Sequence, residues 1–340
     1  MDELIQPLNY SVRALESLHA RVPGYKAKVP KSAAQMARVA NLLERSVKFL
    51  LPNCGQLVDV GRLTESHFDM LRLPYPFVAL EIPWKLENAS LIESGDMKET
   101  PSTRRIVLAW EDENAEHVGL CPPAGEPGVW VVALYYQDEI DDWQVAPLAA
   151  FLPRVNSVVS NKDLESYIAG GTESDRILFD TLVAEGLASN RSAACQLSYS
   201  PILPEFCDAM ARQMGMETAL ARMQMDVRDE VCALWEFTMT VNCVNVRQEE
   251  VEPSAALNKK RVKNGKLPFF SYKVLQLPAE PAARTRKTAP SEGQGDRNGP
   301  RMHLRRGHPR RLPTGKLTYV RAAIVGSSQN GLVEKAYQIQ

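Results

Sequence analysis

Four short runs between residues 76 and 153 constrain this chain most: PFVALEIPW (76–84), RRIVLAWED (104–112), GVWVVALYYQ (128–137) and WQVAPLAAFLP (143–153). Each is rich in β-branched or aromatic residues, and polar or Gly/Pro-rich sequence separates it from the next. The spacing predicts strands of an antiparallel meander. So apolar a sheet needs a covering layer, and the flanking sequence reads as helix. In residues 31–51, Met36, Val39, Leu43, Val47 and Leu50 recur at steps of three and four, as one face of an amphipathic helix does, and Pro52 and Gly55 end it. A shorter helix is expected over 63–73, capped by Thr64 and stopped by Pro74. Helices return at 174–189, 203–214 and 226–246. In the last, Val227, Val231, Leu234, Trp235, Thr238 and Val241 form a broad apolar face, and Asp226 with Asp229 supplies a cap and an acidic first turn. Most of Met210, Met214, Met216, Met223 and Met225 read as core fillers, although a flexible Met-rich surface can also serve as a peptide-binding groove. The class is α+β: helical over 1–72, sheet over 73–153, helical again over 173–246, then a basic loop and strand over 252–277.

At 340 residues and 44% hydrophobic content the chain can bury a substantial core. Its formal net charge of -1 conceals a split. Residues 1–255 hold 22 Lys+Arg against 37 Asp+Glu, a balance of -15, whereas residues 256–340 hold 18 against 4, a balance of +14. Such asymmetry points to binding of nucleic acid or membrane by the basic part, or to that part lying across its own acidic body. The cations gather in two places. Lys259, Lys260, Arg261, Lys263 and Lys266 precede Phe269, Phe270 and Tyr272, where PFFSYKVLQL (268–277) alternates like a strand. Arg301, Arg305, Arg306, Arg310 and Arg311, with His303 and His308, fill RMHLRRGHPRR (301–311). Between them, residues 278–300 lack apolar periodicity and are rich in Pro, Gly, Ser and charge, which predicts a flexible linker between a body of residues 1–277 and a basic, β-like C-terminal element of residues 301–340. Within that element KLTYVRAAIV (316–325) and GLVEKAYQI (331–339) read as strands joined by GSSQN.

Arginine presents a planar fork of donors that matches phosphate, and several cations on consecutive phosphates release counterions. Gly307 and Pro309 exclude a regular helix, so these arginines suit contacts along a backbone rather than groove reading. Phe269, Phe270, Tyr272 and Tyr319 are candidate platforms for stacked bases. RNA is the expected partner. No metal or cofactor is expected: His303 and His308 lack the further ligands of a zinc site, and DEIDD (138–142) reads as a solvated hairpin loop rather than a cation site. Cys54, Cys121, Cys195, Cys207, Cys232 and Cys243 show no C-x-x-C spacing and read as reduced thiols. The phosphate-binding loop, dinucleotide turn, zinc-protease helix and nucleophile elbow are all missing from the sequence. The start MDELIQPLNY has no secretory pattern, and the longest apolar stretch, 128–136, falls far short of the roughly 20 residues that span a bilayer. The expected location is the cytoplasm, with no membrane partner. His303 and His308 remain the candidates for catalysis, as the general acid or base of a metal-independent ribonuclease with arginines stabilising the phosphorane.

Two segments, NKKRVKNGKLPFFSYKVL (258–275) and RMHLRRGHPRRLPTGKLTYVRAAIVG (301–326), together resemble the C-terminal part of a phage- and plasmid-borne family, that of the type V-A anti-CRISPR protein that down-regulates the CRISPR effector nuclease through its mRNA. The family's N-K-K/R segment is matched by Asn258, Lys259 and Lys260, and its H-x-R-R-G-H motif by His303, Arg305, Arg306, Gly307 and His308. LRLPYPFVALEIPW (71–84) looks like the family's first core strand. The resemblance implies an inhibitor that recognises the effector's nascent N-terminal peptide and causes loss of the mRNA being translated, with the basic tail on RNA or ribosome. Two other readings stand beside it: the ribonuclease, and a phage-encoded partner-binding protein whose tail docks on its own acidic body.

Overall fold

The computed structural model describes residues 7–58, 71–85, 102–111, 120, 127–154, 158–159, 170–184, 194–195, 197–278, 301–305, 307–320, 323–325 and 327–332. Helices α1 (Tyr10–Tyr25) and α2 (Pro30–Arg45) lead into strand β1 (Val47–Leu50). The expected helix through residue 51 therefore stops early. Met36, Val39 and Leu43 keep their buried stripe, but beyond Ser46 the chain is hydrogen-bonded into the sheet on both sides. Tertiary pairing overrides the helical spacing there. The meander follows as predicted: β2 (Phe77–Pro83), β3 (Arg104–Glu111), β4 (Gly128–Gln137) and β5 (Asp142–Pro153), each antiparallel to the next.

Farther along lie β6 (Val158–Val159), α3 (Glu173–Ala184), β7 (Ala194–Cys195), β8 (Ser198–Pro201), α4 (Pro204–Met214), α5 (Met216–Val241), β9 (Arg247–Val251), α6 (Ala255–Lys263) and β10 (Tyr272–Gln276). Strands β6 and β7 pair with each other. The main sheet has eight strands in the order β8-β5-β4-β3-β2-β1-β10-β9. It is mixed rather than purely antiparallel, because β1 runs parallel to both β2 and β10. The α+β class holds.

Both faces of the sheet are covered. In β4, Trp130, Val132 and Leu134 meet Leu15, Leu18, Met36 and Leu43 of α1 and α2, while Val129, Val131 and Ala133 meet Val227, Val231, Leu234 and Phe237 of α5. Two covered faces explain why the central strands are buried at almost every position instead of alternating. Gly55, at φ +67°, lies against Ala233 of α5 so closely that an added Cβ would sit 2.8 Å from the Ala233 Cβ.

Several sequence expectations are corrected here. Helix α5 begins at Met216, after Gly215 at φ +87°, so Asp226 and Asp229 lie inside the helix and cap nothing. Met223 is buried, but Met216 is 56% exposed and is no core filler. The basic loop is helix α6: Ala, Leu, Lys and Arg are good helix formers, cations suit a helix C-terminus, and Asn264 with Gly265 at φ +69° ends it. Only Tyr272–Gln276 of PFFSYKVLQL is strand. Residues 71–73 of the predicted second helix are not helical, and its first eight residues lie outside the described chain, as do residues 279–300 of the expected linker.

The DEIDD hairpin is engaged within the protein. Asp138 accepts hydrogen bonds from Thr103, Asp141 from the Tyr136 hydroxyl, and Asp142 pairs with Arg21 at 3.3 Å. No group of side chains among the described residues could hold a metal ion.

The C-terminal part is β-structured, comprising β11 (Arg301–Arg305), β12 (His308–Arg311), β13 (Leu317–Val320), β14 (Ala323–Val325) and β15 (Ser327–Leu332). Residues 327–330, expected as a joining loop, belong to β15. Strand β11 lies between β14 and β15, and β12 pairs with β13 as a hairpin.

Candidate nucleic-acid interface

Helix α6 is anchored on one side and bare on the other. Asn258 exchanges two hydrogen bonds with the backbone of Phe269, at 3.0 and 2.8 Å. Arg261 donates to Leu267 O at 2.6 Å, pairs with Glu16 at 2.7 Å and lies 4.1 Å from the centre of the Phe269 ring. Arg261 is thus committed to holding the helix against α1, and not to an external anion. Lys259, Lys260, Lys263 and Lys266 are exposed, and none of their ammonium groups meets a hydrogen-bonding or charged partner among the described residues.

The C-terminal hairpin is seated on the body by apolar contact and hydrogen bonds. Leu317 and Tyr319 pack with Cys243, Val246, Val58 and Leu277. Val244 N donates to Leu317 O at 3.0 Å, and Asn245 exchanges two hydrogen bonds with the Tyr319 backbone, at 2.9 and 2.7 Å. The Tyr319 hydroxyl donates to Leu57 O at 2.8 Å. Neighbouring Leu57 N and Val58 N donate to the buried carboxylate of Glu236. Gly307 passes so close to Tyr319 that any Cβ would overlap its phenol ring, which gives the glycine of the R-R-G-H motif a steric cause. Burial beneath the hairpin pushes the Cys243 thiol up to about 12.

Of the residues singled out in the C-terminal segment, Arg310 and Arg311 are exposed on β12, while His308 is buried at its start, opposite Val320. Arg301, His303 and Arg305 lie on β11, which pairs with β14 and β15, and Arg306 lies outside the described residues. Helix α6 and the β12–β13 hairpin lie at opposite ends of one strand pair. Helix α6 joins the end of β9 to the start of β10, whereas the hairpin touches Val246 and Leu277 at the other end of the same two strands. Five paired residues separate those ends, about 17 Å at the rise of a strand.

The expected stacking platforms are occupied. The Phe269 ring lies under Arg261, the Lys48 ammonium is 3.8 Å from the centre of the Phe270 ring, and Tyr272 and Tyr319 are buried.

Sequence reading missed two buried ionic clusters. Glu81 of β2 accepts Tyr10 N at 2.9 Å and Ser11 N at 2.7 Å, taking the place of a cap on α1, and also accepts the Tyr272 hydroxyl at 2.9 Å. Burial raises its carboxyl despite these donors. Lys48 beside it donates to Glu44 O and Ser46 O, and burial lowers it to about 8 against the pull of Glu81. On the opposite face of the sheet, Arg105 pairs with Asp229 at 3.1 Å and Glu230 at 3.2 Å, with Trp84 stacked 4.0 Å away. The signal lay in the patterns themselves: Glu81 interrupts FVALEIP, and Glu230 falls between Val227 and Val231 on an apolar helix face. A carboxylate in such a stripe requires a buried partner.

No protein-family model, curated protein or solved structure matches this chain. Among the described residues no helix is long and apolar enough to cross a membrane.

Proposed function

We propose that the protein is a regulatory inhibitor of the type V-A anti-CRISPR kind, acting in the host cytoplasm on the effector nuclease while its message is translated. The nascent N-terminal peptide is the signal, loss of the mRNA is the outcome, and the basic surfaces contact RNA or ribosome. One observation carries the RNA half of this reading: an acidic body presents a rigidly anchored helix whose four lysines, Lys259, Lys260, Lys263 and Lys266, are exposed and without internal counter-charges among the described residues. Lysines with no structural role inside the protein are available to phosphate. The peptide half rests on the resemblance of residues 258–275 and 301–326 to that family.

The rival readings receive less support. A ribonuclease needs a histidine in reach of the scissile phosphate; of the two candidates, His308 is 9% exposed at the seat of the hairpin, and the His303 side chain is outside what the structure describes. The hairpin is seated on the body through apolar contacts and hydrogen bonds, which fix its place without requiring charge neutralisation. Purification of the tagged protein from cells translating the effector tests the proposal. Ribosomes and the effector message should accompany it, and Lys259→Gln, Lys260→Gln and Lys263→Gln together should release them. Recovery of neither would contradict the reading.

A further inference from the structure

Resting on the RNA contact just proposed, we infer that the lysine face of α6 binds the phosphate backbone of double-helical RNA rather than an unpaired strand. The geometry of the helix supplies the first part of the argument. At about 100° per residue, Lys259, Lys263 and Lys260 fall within one arc of about 100°, and Asn258 and Arg261 project about 150° from its middle. Asn258 and Arg261 are the two residues that fasten the helix to the body. The three ammonium groups therefore point directly away from the anchor. Lys259 and Lys263, one turn apart, have Cβ atoms about 6 Å from each other, and their long stems let the charges reach neighbouring phosphates.

What the surface lacks among the described residues decides between the two forms of RNA. Proteins that hold single strands add stacking of bases on aromatic rings to a cationic track. Here Phe269 and Phe270 are covered by Arg261 and Lys48, Tyr272 is buried, and Phe206, the one exposed Phe, Tyr or Trp among the described residues, stands on α4 edge-on to Tyr25; the exposed imidazole of His19 lies beside Lys266. With the phenyl and phenol rings of this segment covered, the affinity of the Lys259–Lys263 face comes chiefly from charge density. A duplex, with two phosphate strands along one axis, offers more of it than an unpaired strand and holds it in a rigid array suited to a rigid helix. A shallow groove of about 680 Å³ runs beside the lysines. Pro253, Ala255 and Val262 line it together with Lys259 and Lys263, and Asn258 and Glu252 are its uncharged polar and acidic members. Val262 is 59% exposed. Apolar side chains beside two ammonium groups accommodate ribose faces between phosphates, and the Asn258 amide is already engaged by the backbone of Phe269.

The test uses the full-length protein and two labelled RNAs with equal numbers of phosphates: a hairpin with a stem of about 16 base pairs, the span a duplex-binding module covers, and an oligouridine strand. Anisotropy titrations between about 50 and 200 mM salt give affinity and its salt slope. The stem should bind more tightly. The triple variant Lys259→Gln, Lys260→Gln, Lys263→Gln should flatten the slope on the stem by about 2.7, at about 0.9 per lost contact, with an unchanged melting temperature. Equal or tighter binding of oligouridine overturns the duplex inference and leaves the RNA reading intact. An unchanged slope in the triple variant overturns the role of α6. Binding of neither RNA, or capture of an acidic protein in place of RNA, overturns the inference and the RNA contact together.

Discussion

Glu230 shows how a single buried carboxylate shapes the response of this protein to pH. Its side chain is 1% exposed, one oxygen accepts from Arg105, and the other has no hydrogen-bond partner among the described residues. Burial raises its carboxyl to about 7; Arg105, shared with Asp229, returns only part of the lost hydration. Burial opposes the charge on Arg105 too, but Glu230 and Asp229 outweigh it and hold the guanidinium firmly protonated. Because the folded-state value of Glu230 lies above the unfolded one, its contribution to stability is complete below about pH 4.5 and is lost as pH rises towards about 7. The difference in unfolding free energy between wild type and Glu230→Gln, measured by urea titration, should therefore shrink across that window, with a slope of at most about 1.4 kcal/mol per pH unit, and level off above it. A difference that grows with pH would show that the ion pair outweighs burial. Residues of this kind were legible in the sequence as charges inside apolar stripes, at Glu81, Glu230 and Glu236. Their partners were not, because Tyr10, Arg105 and Leu57 lie 71, 125 and 179 residues away along the chain.

At the scale of elements, local sequence was sufficient where local forces decide. The strands β2 to β5 and the helices α3 and α4 fall close to where apolar spacing predicted them. It failed at β1, where Val47 and Leu50 continue a helical spacing and yet pair with two parallel strands from distant sequence. It failed differently at α6. There the cap-like Ser254, the helix-forming Ala255, Ala256 and Leu257 and the stop at Asn264-Gly265 were all visible, but the density of charge suggested a loop. The C-terminal hairpin was legible as strands, and docking of the tail on the body stood among the readings, but the seat itself was not legible, since it is assembled from Leu57, Cys243, Asn245 and Leu277. Gly307→Ala should unseat it by forcing Tyr319 aside. Mass-spectrometric thiol labelling should then find Cys243, protected in the wild type, modified at least tenfold faster, with the helical signal of the body retained. Unchanged protection of Cys243 would mean that the hairpin tolerates the side chain and that the glycine has another cause.

Considered whole, the molecule is a covered mixed sheet with an acidic body that displays cations at both ends of one edge ribbon, β9 with β10. The charge split between residues 1–255 and 256–340 anticipated this display, while the division of labour within it came from the structure. Arg261 fastens and the lysines face outward; Gly307 and Tyr319 fasten and Arg310 and Arg311 face outward. The central claim, an inhibitor keyed to a nascent peptide and acting on the message that encodes it, is tested most directly by recoding the target. Reporter mRNA should be measured in cells expressing this protein, with the effector's coding start intact, with synonymous codons, or with the encoded N-terminal peptide deleted. The account predicts mRNA loss of tenfold or more for the first two and none for the third. Loss that follows the nucleotide sequence and ignores the peptide, or no loss with any of the three, would contradict it.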